Sequence, residues 1–451
     1  MTVAEMVARA HVAQKEFERK FNQEQTDKVV RAMAKVVYDH AEELARMAVD
    51  ETGMGVYEDK VAKNKGKSKG VWYDLKGKQS MGVLSIDPVT DLMTILKPVG
   101  VVGAITPTTN PIVTPMSNAM FALKCKNAVI VSPHPRSKKC SAYTVELMNK
   151  AIAQFGTPEN LIQIIEDPTL ESTQELMRAV DVVLATGGMG MVKSAYSSGK
   201  PSYGVGAGNV QVIIDREVDY NQAAKTIITG RTFDNGIICS GEQSFIYPKE
   251  DKEKVFKAFV DNGAYIVPEA DRDKVVNAIF ENGAMARDIV GQSPKVLADK
   301  AGITIPKGTR VLVLEAHGIG KADPVCKEKM CPALAAFGYD KFEEAIHIAQ
   351  TNLDNEGNGH SAGIHSNNDD HIRQAGLGLS VSRLVINAPV STTAGGAMAS
   401  GLACTNTLGC GSWGNNTLSE NLTYKHLYNT TRVARLSPKV HIPTDDELWA
   451  E

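Results

Sequence analysis

Neither sign of charge dominates this chain: 49 Lys and Arg stand against 52 Asp and Glu, a formal net charge of −3. Proteins that hold nucleic acid or an anionic membrane surface need a basic excess, so neither partner is expected. No apolar stretch approaches the ~20 residues needed to span a bilayer. The opening MTVAEMVARAHVAQKEF also lacks the continuous apolar core of a secretory signal. Its apolar positions (Val3, Met6, Val7, Ala10, Ala13, Phe17) follow a helical period instead, read as a packed first helix or, alternatively, a targeting or docking peptide. Cysteine is sparse: seven scattered thiols form no C-x-x-C pair, and Cys326 and Cys331 lack partners at zinc-like spacing. Neither a disulfide framework nor a metal site is expected, and the chain reads as cytoplasmic. There is no short-period repeat, no low-complexity segment and no P-loop. In ATGGMGMVKS no glycine stands directly before Lys193, and in SSGKPS Pro201 follows Lys200 where a helix should start.

What is present is an α/β pattern on a chain long enough for two or more domains. Residues 1–65 read as helical, with Gly53 and Gly55 as stops. From about residue 80 the pattern turns strand-like, in GVLSI and then MTILKPVGVVGAI. Apolar β-branched runs then alternate with helical segments: NAVIVSPHP before a helix near 139–155, LIQIIED before 170–179, DVVLATGG before 189–199, VQVIID before 219–230. Such alternation predicts βαβ units and parallel sheets covered on both faces.

Three stretches invite a chemical reading. ATGG places Gly187 and Gly188 between a strand and a helix, where backbone N–H groups can face a phosphate; it reads equally as a tight turn without ligand. SPHPRSKK follows a strand and carries Arg136, Lys138 and Lys139, either a phosphate-ester site or a solvated turn. FDNGIICSGEQS sets Cys239 in a short turn between Gly236 and Gly241, among Asn235, Glu242, Ser240 and Ser244. A core thiol sits in a plain aliphatic run, whereas a nucleophile needs backbone freedom and close substrate approach.

TPTTNP (106–111), ATGG, GVGAGN (204–209), the Cys239 turn and KEKMCP (327–332) together resemble the aldehyde dehydrogenase superfamily over essentially the whole length. KPVGVVGAITPTTNP and LGCGSWG resemble its CoA-acylating branch, and ETGMGVYEDKVAKNKGKSKGVWY, NPIVTPMSNAM and GCGSWGNNTLSENLTYKHL resemble stand-alone CoA-acylating succinate-semialdehyde dehydrogenases. The resemblance implies a Rossmann-type cofactor domain over 1–206, interrupted by oligomerisation strands at 79–98 and completed by about 407–430. A catalytic domain would cover 207–406 and a C-terminal oligomerisation arm 431–451.

The resemblance also assigns roles. Cys239 is the nucleophile, Asn110 the oxyanion donor, and His360 a histidine near the active site, read either as handling the thioester or as a packing residue. Thr106, Ser132, His134, Pro135, Arg136, Lys138, Gly187, Gly188 and Glu328 bind a nicotinamide cofactor. Gly204 stands where hydrolytic members carry the glutamate that activates water, so CoA should take the acyl group instead. No acidic residue follows NAVIV, which leans toward NADP(H), with NAD(H) open. Ser391, Thr392 and Thr393 of APVSTTAGG would hydrogen-bond a substrate carboxylate, unless that loop is merely polar. The expected reaction is reversible reduction of succinyl-CoA to succinate semialdehyde by a homodimer or larger homo-oligomer, with an acetaldehyde-type substrate as rival and a non-catalytic assembly protein as a remote alternative. The Cys239 thiol is expected to have a pKa lowered modestly by local donors and the bound cofactor.

Overall fold

Four helices open the chain: Val3–Lys20, Gln23–Asp39, Ala41–Thr52 and Tyr57–Leu75. The computed structural model describes residues 1–451. Thr2 with Glu5 and Asn22 with Gln25 close capping boxes that satisfy the first free N–H groups of two of these helices. Gly53, at φ 65°, ends the third. The fourth was expected to stop near residue 65 but runs on through Gly66 and Gly70 to Leu75. Gly70 is required by packing, because a Cβ there would lie 2.7 Å from Cys404 Sγ. Close approach thus outweighs the ~1 kcal/mol that glycine costs a helix.

The predicted alternation folds into two parallel sheets. The first has five strands in the order Ile162–Ile164, Ala128–Pro133, Val101–Thr106, Val182–Thr186, Ser202–Val205. The chain builds outward from Val101–Thr106 to one edge, then returns to the other side of the same strand. The topological switch therefore falls between Val101–Thr106 and Val182–Thr186, and a crevice opens beyond their carboxyl ends. The second sheet has seven strands in the order Ala264–Ile266, Val311–Glu315, Ala333–Tyr339, Glu242–Pro248, Val210–Ile214, Ala362–His365, Leu384–Ile386, every pairing parallel. The short link 206–209 carries the chain from the carboxyl end of Ser202–Val205 to the amino end of Val210–Ile214. The mouth of the first sheet accordingly faces the amino ends of the second, where the Cys239 turn leads into Glu242–Pro248.

A third, antiparallel sheet joins Gly82–Ile86, Met93–Pro98 and the near-C-terminal strand Tyr428–Val433. Val83, Leu84, Ile86 and Val433 remain largely exposed on it. The last strand begins at Tyr428, a few residues ahead of the expected arm, and the chain closes with a short helix, Asp445–Trp449. No helix is long and apolar enough to cross a membrane.

Candidate active site

The Cys239 turn is fixed from several sides. Asp234 and Asn235, at φ 54° and 52°, hold left-handed backbone that non-glycine residues adopt only when their surroundings impose it. Arg231, wholly buried, donates to Gly236 O at 2.7 Å and Glu242 O at 2.8 Å and so ties the two ends of the turn together. A Cβ on Gly236 would collide with that guanidinium, and one on Gly208 with the Cys239 carbonyl oxygen. Ser240 donates to Ser391 O at 3.1 Å, and Glu242 accepts from the Val390 N–H at 2.6 Å, binding the turn to the 390–393 helix.

Two cavities meet at this turn. One, of about 450 Å³, lies beyond the carboxyl ends of the first sheet; the other, of about 530 Å³, lies between the helix Tyr57–Leu75 and the loops after Leu384–Ile386. Cys239, Asn110 and Asn406 line both. Of the residues that the resemblance assigns to the cofactor, Thr106, Ser132, His134, Pro135, Gly187, Gly188 and Glu328 line the first. Nothing stands within 4 Å of where a Gly188 Cβ would be, and the buried Thr106 hydroxyl has no partner. The Glu328 carboxylate accepts a single long bond, 3.3 Å from the Gly208 N–H, and burial together with Glu356 pushes its pKa up to about 8. A ligand rich in hydroxyl and phosphate groups would satisfy these atoms, so the cavity fits a nicotinamide dinucleotide.

The second cavity carries two lysines to which the sequence reading gave no role. Lys63 and Lys67, on the inward face of Tyr57–Leu75, both line it. Lys67 Nζ donates to Gly395 O and Thr405 O, each at 2.9 Å, and no carboxylate bonds to it. Two of its three donors are thus used and one remains. Burial lowers the pKa of this amine, so an anion in the cavity would supply the counter-charge. Ser391 lines the same wall with a buried hydroxyl that has no partner, and Thr392 lines it too.

The match to the Aldehyde dehydrogenase family covers residues 1–287, well over half the chain. The chain belongs to that family. A succinate-semialdehyde dehydrogenase (acetylating) of Clostridium kluyveri is 53% identical over 450 residues, spanning 100% of this chain and 99% of its own. Among solved structures, an acetylating aldehyde dehydrogenase of Geobacillus thermoglucosidasius is 40% identical, covers 98% of each chain and superposes with a TM-score of 0.93. A propionaldehyde dehydrogenase of Rhodopseudomonas palustris, with bound CoA and an acylated cysteine, is 28% identical over 96% of this chain and 97% of its own, with a TM-score of 0.87.

Several sequence expectations need correction in this family frame. Local donors do not lower the Cys239 thiol: burial, with Glu328 and Cys410 adding to it, pushes its pKa up to about 12 against the opposing pull of Arg383 and its own N–H. Gly204 lines neither cavity, since strand alternation turns its Cβ direction toward Val192 Cγ1 (2.6 Å) and the Tyr196 ring (3.0 Å). Arg136 and Lys138 also lie outside the cavity lining. The Pro135–Ser137 turn directs them outward, where Lys138 pairs with Asp167 and Arg136 reaches only the Thr52 carbonyl, at 3.5 Å.

His360 lines neither cavity. It is fully buried behind the Cys239 turn, its Cδ2 3.4 Å from the Cβ direction of Gly208, its Nδ1 3.1 Å from Ser361 Oγ and its Nε2 without a partner. Burial and Arg383 depress its pKa to about 3, so it is a neutral imidazole at physiological pH. Thr393 is also outside the lining, because the one-turn helix Val390–Thr393 rotates it away from its neighbours Ser391 and Thr392. Asn406 had carried no signal in the sequence. Its amide donates to Val113 O at 2.9 Å and Ser117 Oγ at 3.0 Å, which anchors it at the junction of the two cavities.

Proposed function

We propose that the protein catalyses the reversible reduction of succinyl-CoA to succinate semialdehyde and CoA at the expense of a reduced nicotinamide cofactor. The observation that carries the substrate assignment is the Lys67 ammonium, with a free N–H, lining together with the unpartnered Ser391 hydroxyl the cavity that opens onto Cys239. A succinyl group has a reacting carbonyl at one end and a carboxylate at the other, and this cavity offers a thiol and a cation. The full-length relative at 53% identity, by its name a succinate-semialdehyde dehydrogenase (acetylating), supports the same substrate.

Cys239 Sγ adds to the thioester carbonyl, and the oxyanion so formed is held by the Asn110 amide N–H and the Cys239 backbone N–H. Collapse expels CoA as its thiolate and leaves an S-succinyl cysteine. The reduced nicotinamide supplies the hydride; Thr106, Ser132, His134, Pro135, Gly187, Gly188 and Glu328 would hold the cofactor. The resulting thiohemiacetal releases the aldehyde and returns the thiol. Glu328 is the only acidic residue lining either cavity, and its raised pKa keeps it largely protonated at pH 7. No ionised carboxylate thus activates water against the thioester, which leaves a thiol as the acyl acceptor in the reverse direction.

NADP(H) is favoured as the cofactor: apart from Glu328 no acid lines the dinucleotide cavity, and Asp167, beyond its rim, is engaged by Lys138. The exposed apolar residues of the antiparallel sheet, continued by Leu436 and Ile442, fit an enzyme that self-associates through this face. Initial rates with succinyl-, butyryl- and acetyl-CoA, each with NADPH and NADH, test the reading. Succinyl-CoA should lead by kcat/KM; preference for acetyl-CoA would overturn the substrate.

A further inference from the structure

The helix Tyr57–Leu75 turns Lys60 and Lys63 toward the protein interior, where they close on Asp234; the three side chains are 4%, 6% and 0% exposed. Asp234 Oδ2 accepts from Lys63 Nζ at 2.6 Å and from Lys60 Nζ at 3.0 Å, and its Oδ1 accepts from the Val56 N–H at 2.8 Å. The Asp234 N–H in turn donates to Asp59 at 2.8 Å. Every atom of the Asp234 carboxylate is therefore engaged, and a Cβ on Gly55 would collide with it. Lys63 makes one further bond, 3.0 Å to Asn110 Oδ1.

That last bond fixes more than a distance. An ammonium group only donates, so the face of the Asn110 amide toward Lys63 must be its oxygen, and the NH2 group must point the other way. We propose that Lys63 is a positioning residue for the reaction, locking the Asn110 amide in the one orientation that presents an N–H to the oxyanion on Cys239. Asp234 lies on the same turn as Cys239, so one carboxylate sets the oxyanion donor and the nucleophile in a common frame. The Asn110 NH2 group also donates to Thr109 Oγ1 at 3.3 Å, but a hydroxyl accepts or donates, so without Lys63 the amide can flip and present its oxygen, which repels the charge it should stabilise. This inference rests on the oxyanion role given to Asn110 under the proposed function.

Single-turnover acylation of Cys239, followed in Lys63→Met, Asn110→Ala and the double variant with succinyl-CoA and with butyryl-CoA, separates the two. Asn110→Ala should lose about 10²–10³ in rate, the usual cost of one oxyanion donor. Lys63→Met should lose about 10², equally for both acyl-CoAs and with KM changed less than about threefold, and the double variant should be no slower than Asn110→Ala. If Lys63→Met costs the same factor with and without Asn110, the positioning role is overturned while the oxyanion reading stands. A loss confined to succinyl-CoA would also overturn it, by making Lys63 a substrate contact. An Asn110→Ala variant with undiminished rate would remove the oxyanion reading itself, and this inference with it. Should Lys63→Met fail to fold, Lys63→Gln serves: its amide presents either atom to Asn110, so an intermediate loss is expected, again only while Asn110 is present.

Discussion

Replacing Lys67 by methionine keeps the length and apolar stem of the side chain and removes its charge and donors. In the wild-type cavity the ammonium bonds Gly395 O and Thr405 O and has one N–H left for the substrate. A hydrogen bond to a charged group contributes about 1.5–3 kcal/mol. Its loss should therefore lower kcat/KM for succinyl-CoA by about 10- to 150-fold. Butyryl-CoA ends in a methyl group where succinyl-CoA has its carboxylate, so its kcat/KM should stay within about threefold or improve as the wall becomes apolar. The two released carbonyls, each losing a bond, should cost the fold about 1–3 kcal/mol. Because that cost falls on both substrates alike, the assay is the ratio of the two kcat/KM values, measured at a temperature where circular dichroism shows the variant folded. An unchanged ratio would refute the assignment of Lys67 to the carboxylate.

Three further outcomes follow from other parts of the site. With its pKa near 12, the Cys239 thiol of the free enzyme should be alkylated by iodoacetamide at a rate that climbs tenfold per pH unit from 6.5 to 9.5; a plateau by pH 8 would mean the thiol is activated before substrate arrives. Glu328 holds its proton to about pH 8 when folded but only to the ordinary 4.5 when unfolded, so the stability it lends is complete below pH 4.5 and is lost as pH rises through 8. Glu328→Gln should therefore raise Tm relative to the wild type more at pH 8.5 than at pH 5, and parallel Tm curves would contradict the burial. Gly204→Ala should destabilise the fold by about 1–3 kcal/mol through contact with Val192 and Tyr196, yet leave kcat/KM within about threefold, since that position faces a helix; a large loss of activity in a stable variant would place it in the site after all.

Much of this site was legible in the sequence because glycine and strand–turn–helix spacing carry geometry directly. The glycines around Cys239 marked a turn that needs close backbone approach, and the motifs after Val101–Thr106, Ala128–Pro133 and Val182–Thr186 fell together at the carboxyl ends of the first sheet because parallel βαβ topology gathers such turns there. Charged side chains were the least legible part. Arg136 and Lys138 looked like a phosphate cluster but face outward. Lys60, Lys63 and Lys67, at helical spacing in KVAKNKGKSKG, drew no reading of their own, yet they turn inward. Only the third dimension supplies what makes their burial tolerable: Asp234 arrives from 174 residues beyond Lys60 and 171 beyond Lys63, and the carbonyls of Gly395 and Thr405 from still further along the chain. Gly204 failed for a simpler reason. One step of strand alternation decides which face a side chain meets, and at Gly204 that face carries Val192 and Tyr196.

The central claim is that Cys239 itself takes the succinyl group, and intact-protein mass spectrometry tests it most directly. Mixed with succinyl-CoA and no nicotinamide, the enzyme should gain about 100 Da, as expected for one thioester-linked succinyl group. The adduct should map to the Cys239 peptide, be cleaved by hydroxylamine, and discharge as succinate semialdehyde when NADPH is added. No adduct, an adduct on another residue, or one that persists in the presence of NADPH would contradict the account.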